Sequence, residues 1–466
     1  MPDYYLVIFL MRVVQNALQG RADYFDIRIT DVTNTILELK KNEVSKAISG
    51  KDTGACVRVL YGGAWGFAST PDISEESIRD AADKAARIAR GVSESVKEKT
   101  ELAAVKPVID EVTIEMKKSI MDTSIEKKLD LLLSTFDVVK DYDFIVNSTA
   151  SYKDTYTVEE FYSSEGTSLV MRSPNVLWSL ELVGKKDGQL QSVRRRIGNT
   201  KGFEAFDGDH HLDCSRDAVA SLVSLLNGKS PPSGKLPVIA DPELTGVFAH
   251  EAVGHASEGD LVTTGNSCFE NKIGEKIGNS IVTIKDDATI PGLFGSYVYD
   301  DEGVRTRTKV LIKDGILNEF ILSRETAKKL NMEPNGGARA ESYHGRPLVR
   351  MSNTFIERGD SSFREMLEET RHGVYLKGTR GGQVNTSQGY FQFNAQEAYL
   401  IEDGELKTPL RDVSLSGHTL EILSLIDMVG EDLSLGHAGL CGKGQTVPVG
   451  DGGPHIRISE CVVGGR

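Results

Sequence analysis

The stretch Asp241-Pro242-Glu243-Leu244-Thr245-Gly246-Val247-Phe248-Ala249-His250-Glu251-Ala252-Val253-Gly254-His255-Ala256-Ser257-Glu258-Gly259-Asp260 decides how the rest of the chain is read. Its start is marked as a helix, since Asp241 is a good N-cap and Pro242 suits the first helical position. Leu244, Val247, Phe248 and Ala252 recur at helical spacing and define a buried face. An apolar helix carrying two histidines and a carboxylate must give those groups partners, and a metal ion supplies them. His250 and His255 are five residues apart, however, not the four of HExxH. Five residues at ~100° each leave the imidazoles about 140° apart around a regular helix. They can share an ion only if the helix is locally unwound, and a π-turn between Glu251 and His255 would do that. Gly254, just before the second histidine, is expected to permit the distortion.

A third ligand has to come from elsewhere. The best local chemistry lies in Gly436-His437-Ala438-Gly439-Leu440-Cys441-Gly442-Lys443-Gly444. Its glycines let the backbone approach another element, and Lys443 is expected to favour a thiolate on Cys441. His437, in the same run, is the competing ligand. Gly442-Lys443 does not make a P-loop, because that motif needs glycine where His437 stands and Ser or Thr at Gly444. The triple basic run Arg194-Arg195-Arg196 reads as a solvated strand or loop.

Working outward, the chain reads as α+β. Residues 229–237 (KSPPSGKLP) form the best linker and divide it in two. Residues 1–228 form a mixed N-terminal region with an antiparallel sheet, and a break near 97–110 allows two subdomains. Alternation at 24–30, 35–39, 56–60 and 65–69 predicts a meander. Further strands are expected at 143–152, 158–163, 168–172 and 177–183. Helices follow from 3–4 spacing at 4–18, at 74–91 with Ile78, Ala82, Ala85 and Ile88 inside, at 125–140, and at 216–226. Residues 229–466 form a β-rich domain carrying the metal-binding helix, predicted over 242–257. Other helices there are few, at 324–330 and 363–371.

Composition narrows the class. With 54 Lys and Arg against 68 Asp and Glu, the net charge is −14, which argues against nucleic acid as a partner. Hydrophobic residues at 39% and charged ones at 26% are those of a globular protein. Cys56, Cys214, Cys268, Cys441 and Cys461 are too few for a disulfide framework, so a reducing, cytoplasmic setting is expected. No apolar run reaches the ~18 residues that would span a bilayer. The nearest, residues 4–11, follows Asp3 and lacks a cleavage site, so it reads as a buried helix and not a signal peptide. Met11 is a second candidate start.

Several blocks together carry a resemblance. The 241–260 stretch, Gly439-Leu440-Cys441-Gly442-Lys443 with Gly444-Gln445, Arg350-Met351-Ser352-Asn353-Thr354, Gly381-Gly382-Gln383-Val384 and Glu397-Ala398-Tyr399-Leu400-Ile401 are joined by Ala22-Asp23-Tyr24 and Trp65-Gly66-Phe67-Ala68-Ser69. This set resembles the TldD family of the TldD/PmbA metalloproteases over nearly the whole chain. The resemblance implies that His250 and His255 are zinc ligands of an HExxxH helix, with Cys441 the third ligand as a thiolate. Glu251 is then the catalytic glutamate, the general base for water that zinc activates. The implied activity is hydrolysis of unfolded or short peptides. The implied assembly is a homodimer, or a heterodimer with a TldE/PmbA-like subunit that lacks HExxxH. A His and Cys donor set also suits iron and other divalent ions. Two alternatives remain at this level, a non-peptidase metal amidase or deacylase and a non-catalytic partner subunit. Arg339, Arg350 and His437 are the oxyanion donors the sequence offers.

Overall fold

The computed structural model describes residues 4–465; Met1 and Asp3 lie outside them. The architecture is α+β with largely antiparallel sheets. Seven strands of the N-terminal half form one sheet, whose main path runs Ala64–Thr70, Glu43–Tyr61, Tyr24–Lys40, Ile145–Ser163, Ser168–Lys186. Ile109–Thr113 and Gln189–Asn199 share the far side of Ser168–Lys186.

These strands are longer than their apolar alternation predicts. Tyr24–Lys40 runs unbroken through the mostly polar residues 31–34, because each is paired on both sides, as Asp31 is with Thr53 and Val158. A rung inside a ladder keeps its backbone bonds whatever its side chain. Ser168–Lys186 likewise passes through Pro174, which falls in the gap between Ile109–Thr113, whose pairing stops at Arg172, and Gln189–Asn199, whose pairing starts at Val176. Proline is tolerated there because no strand on that side needs its missing N–H.

Two separate cores sit on this sheet. Helices Ile125–Val139 and His210–Asn227 cover Tyr152, Trp178 and Leu180. Helices Tyr4–Leu18 and Glu75–Ser93 cover Ile27, Val57 and Val59. The buried face of Glu75–Ser93 is Ile78, Ala81, Ala82, Ala85, Ala86 and Ala89, and Ile88 is 40% exposed. Small residues win the inner face because the helix lies directly on the strand below: a Cβ on Gly66 would fall 1.9 Å from the Ala85 carbonyl.

The C-terminal half contains a six-stranded and a seven-stranded sheet with the helix that begins at Pro242 packed between them. The linker expected over 229–237 is not a free connection throughout. Strand Gly234–Ala240 begins within it and lies between His372–Asn385 and Ile456–Gly465. Pro237 fits because the register with the latter slips between Ile458 and Cys461. Buried arginines join the two halves. Arg28 meets Asp301 at 2.7 Å, and Arg58 meets Asp26 at 2.6 Å and Glu302 at 3.1 Å. No helix of the described residues is long and apolar enough to cross a membrane.

Candidate metal centre

Strand Gly234–Ala240 leads straight into Asp241, whose carboxylate accepts the Leu244 N–H at 2.8 Å. The helix is α over Pro242–Phe248, π over Ala249–Gly254 and 3-10 over His255–Ser257. The His255 N–H donates to the His250 carbonyl, an i to i+5 bond that brings the two histidines to one side. This is the irregular turn that the five-residue spacing requires. The reason for Gly254 is different from the one expected. Its φ of −57° and ψ of −55° are open to any residue. Space is what excludes a side chain, because a Cβ there would lie 2.0 Å from the Sδ of the fully buried Met351.

Cys441 arrives from strand Ser434–Gly442, the edge of the six-stranded sheet. Its Sγ lies 3.3 Å from His250 Nε2 and 3.5 Å from His255 Nε2. The imidazole centroids are 5.2 Å apart with planes at 87°. Around a tetrahedral zinc ion, a nitrogen at ~2.0–2.1 Å and a sulfur at ~2.3 Å stand about 3.6 Å apart. The three donors therefore fit one ion of that size, and all lie within 4.8 Å of one another. His437, the competing ligand, is outside this group. It lines the adjoining cavity, and its Nε2 has no hydrogen-bond partner.

The electrostatics suit a cation. Burial pushes the Cys441 thiol up, but contacts from His250 and His255 outweigh it and bring it down to about 5. Burial lowers the His255 imidazole, and the charges of Glu258 and Cys441 outweigh that and raise it well above its usual range. Glu258 is buried and accepts from His255 Nδ1 at 2.9 Å. A carboxylate on the far nitrogen of a ligand histidine fixes its orientation and raises its basicity. The ammonium of Lys443 sits on Glu258 at 3.0 Å and on Asp260 at 2.7 Å. Lys443 thus holds those carboxylates, and the imidazoles, not this lysine, favour the thiolate. The sequence offers Glu258 only through its position three residues after His255, where the chain leaves the helical turn in an extended conformation.

Two of the three expected oxyanion donors are engaged elsewhere. Arg350 is fully buried and donates to the Cys441 carbonyl at 2.5 Å and the Gln445 carbonyl at 2.7 Å. Arg339 donates to the Met351 carbonyl at 2.7 Å and lies over the Tyr297 ring. Glu251 has a side chain 27% exposed, with Oε2 3.9 Å from His255 Nε2. It opens into a cavity of about 940 Å³ that His250, His255, His437 and Cys441 also line. The opposite wall is strand Gln189–Asn199. Arg194, Arg195 and Arg196 lie on this strand with the first and last exposed, as the sequence predicts, and all three also line the cleft beside the centre. Only the fold could reveal that, because the run lies in the other half of the sequence.

The three parts of the chain match family models in order. Residues 25–89 match domain 1 of the PmbA/TldA metallopeptidases, 118–226 the central domain and 233–465 the C-terminal domain. A metalloprotease of Methanocaldococcus jannaschii is 44% identical, over 94% of this chain and 97% of that protein. A zinc metalloprotease TldD homolog of Saccharolobus solfataricus is 33% identical, over 98% of this chain and 100% of that protein. The crystal structure of TldE from Thermococcus kodakarensis has the same fold, with a TM-score of 0.79 at 20% identity over 98% of this chain and 100% of that one. Fold and relatives together define the class as metallopeptidase. The chain belongs to the PmbA/TldD metallopeptidase family.

Proposed function

We propose that this chain is a zinc peptidase acting on unfolded or short peptides. His250, His255 and Cys441 hold the ion, and Glu251 is the general base. The observation that carries the reading is the convergence of two imidazoles, a thiol and a glutamate on one cavity of about 940 Å³. When bound, the ion supplies Lewis-acid polarisation and lowers the pKa of a water toward ~7. Glu251, the partly exposed acid beside the ligands, takes the proton from the attacking water and returns it to the leaving amine. His437 is the remaining donor for the developing oxyanion, since it lines the cavity and its Nε2 is buried without a partner while Arg339 and Arg350 are committed. Glu258 fixes the His255 ring and Arg350 the Cys441 backbone. Assembly is proposed as a dimer, with a second copy or with a TldE/PmbA-like subunit.

The test is Glu251→Ala with zinc content measured beside peptidase activity. Loss of general acid–base catalysis predicts a fall of about 10²–10⁴-fold in turnover with zinc retained. His250→Ala is expected to lose both. Unchanged cleavage by Glu251→Ala refutes the mechanism, and zinc content below one per chain refutes the centre.

A further inference from the structure

Four arginines line the cleft: Arg194, Arg195, Arg196 and Arg380. Three are already neutralised. Arg194 meets Glu181 at 2.8 Å and Arg195 meets Asp217 at 2.7 Å. Arg380 meets Asp412 at 3.1 Å and Gln191 Oε1 at 2.7 Å. For Arg196 no ion pair or side-chain hydrogen bond occurs among the described residues. The four carboxylates of the cavity, Glu181, Glu243, Glu251 and Asp451, do not come within ion-pair distance of it.

Its placement follows from the strand. Side chains alternate along Gln189–Asn199, so residues 196 and 198 share a face. That face abuts the strand that carries Cys441, because a Cβ on Gly198 would lie 2.6 Å from the Ala438 Cβ. Arg196 is thus one rung from the contact between the two walls, on the side where the metal-binding strand lies. Arg196 is exposed on this face; desolvation in the cleft and the neighbouring Arg194 lower its guanidinium, and Glu243, Asp451 and Glu181 offset this only in part, from beyond ion-pair distance. A planar fork of donors left unpaired in a cleft matches a carboxylate bidentately.

We infer that Arg196 is a substrate-binding residue that takes a carboxylate of the peptide lying in the cleft. That group is either the free C-terminus or the side chain of an acidic residue; the chemistry is the same and the experiment separates them. The inference rests on the peptidase reading above and adds a specificity to it. A peptide spanning the cavity places its scissile bond at Glu251 and a carboxylate at Arg196.

The test uses the zinc-loaded full chain and four peptides of one sequence, with a C-terminal acid or amide and with an internal Glu or Gln. Wild type and Arg196→Met are compared by kcat/KM, and binding is measured by fluorescence anisotropy on labelled peptides in a Glu251→Gln background. Hydrogen bonds to a charged group predict that the acid-over-neutral preference falls about tenfold or more in Arg196→Met. Arg196→Lys, which keeps the charge without the fork, is expected to retain part of it. A loss confined to the free-acid peptides assigns the C-terminal carboxylate, and one confined to the Glu peptides assigns a side-chain subsite. Wild type and Arg196→Met showing the same preference in both measurements overturns the inference. If wild type cleaves none of the four but binds them with an Arg196-dependent preference, the peptidase reading fails and the carboxylate site stands.

Discussion

The contact between Gly254 and Met351 makes a prediction whose sign depends on the background. In a helix-like backbone, alanine is favoured over glycine by up to ~1 kcal/mol, and the dihedral angles at 254 suit alanine. Yet the new Cβ would sit 2.0 Å from Met351 Sδ, 3.2 Å from its Cγ and 3.4 Å from its Cε. Met351 is fully buried, so its side chain has no open space to swing into. Overpacking of this kind costs about 1–3 kcal/mol, which outweighs the propensity gain. Gly254→Ala should therefore destabilise the wild type by about 1–2 kcal/mol. Met351→Ala alone should cost about 2–5 kcal/mol through the cavity it leaves. In that background the clash is gone and the new methyl fills space, so Gly254→Ala should stabilise by about 1 kcal/mol. The resulting coupling of about 2–3 kcal/mol lies at the upper end for residues in contact. Urea unfolding of chelated protein measures it without the added linkage of bound metal. Zinc competition with a chromogenic chelator should report weaker binding in Gly254→Ala, because residue 254 precedes His255, a ligand in the proposed centre. Equal effects of Gly254→Ala in the two backgrounds would refute the packing argument, and stabilisation of the wild type would refute the clash itself.

Two other outcomes follow from the charges. In zinc-free protein, Cys441 sits at about 5, so its alkylation by iodoacetamide should be flat from about pH 6 to 9 and suppressed by zinc. Burial pushes Cys461 up to about 12 and Cys268 to about 11, so both should stay unlabelled at neutral pH. Peptide mapping reads this, and a Cys441 rate that climbs tenfold per pH unit up to ~8.5, as an ordinary thiol's does, contradicts it. Separately, Arg58→Met leaves Asp26 and Glu302 buried without their cation, which should cost about 3–5 kcal/mol in urea unfolding, and Glu302→Gln in the same chain should recover part of it.

What the sequence disclosed follows from the range of the physics involved. Helix caps are local, and Asp241, Ser74, Ser124 and Ser362 each cap where their side chains predict. The π-turn was legible because the spacing of His250 and His255 is itself a geometric constraint. The reason for Gly254 was not, since Met351 is remote in sequence and supplies the constraint through space. The strands exceed the length their alternation predicts for a similar reason. Alternation reports only rungs with one apolar face, whereas Asp31 is kept in its strand by partners on both sides and Pro174 by Tyr156 on one. The charges of Arg350 and Lys443 do not by themselves identify what they hold. Their actual partners, a backbone carbonyl of Cys441 and the carboxylates of Glu258 and Asp260, are contacts a single sequence does not reveal.

Those two cations explain why the donors stand at ligand spacing on protein contacts alone. Arg350 grips the carbonyl of Cys441 itself, so the strand is fixed directly behind the sulfur. The next residue, Met351, presses on Gly254 in the turn between the histidines. One buried segment therefore sets both the strand that brings sulfur and the helix that brings nitrogen. Lys443 does the reverse, reaching from just beyond Cys441 to the Glu258 that orients His255. With backbone and orientation both fixed by protein contacts, the nitrogen–sulfur separations of 3.3 and 3.5 Å fall close to the ~3.6 Å that a tetrahedral zinc ion imposes. A site built this way differs from a small zinc domain, where binding energy is folding energy. Here the two sheets and the helix between them supply the core, so removing the metal should leave the fold intact and remove the chemistry.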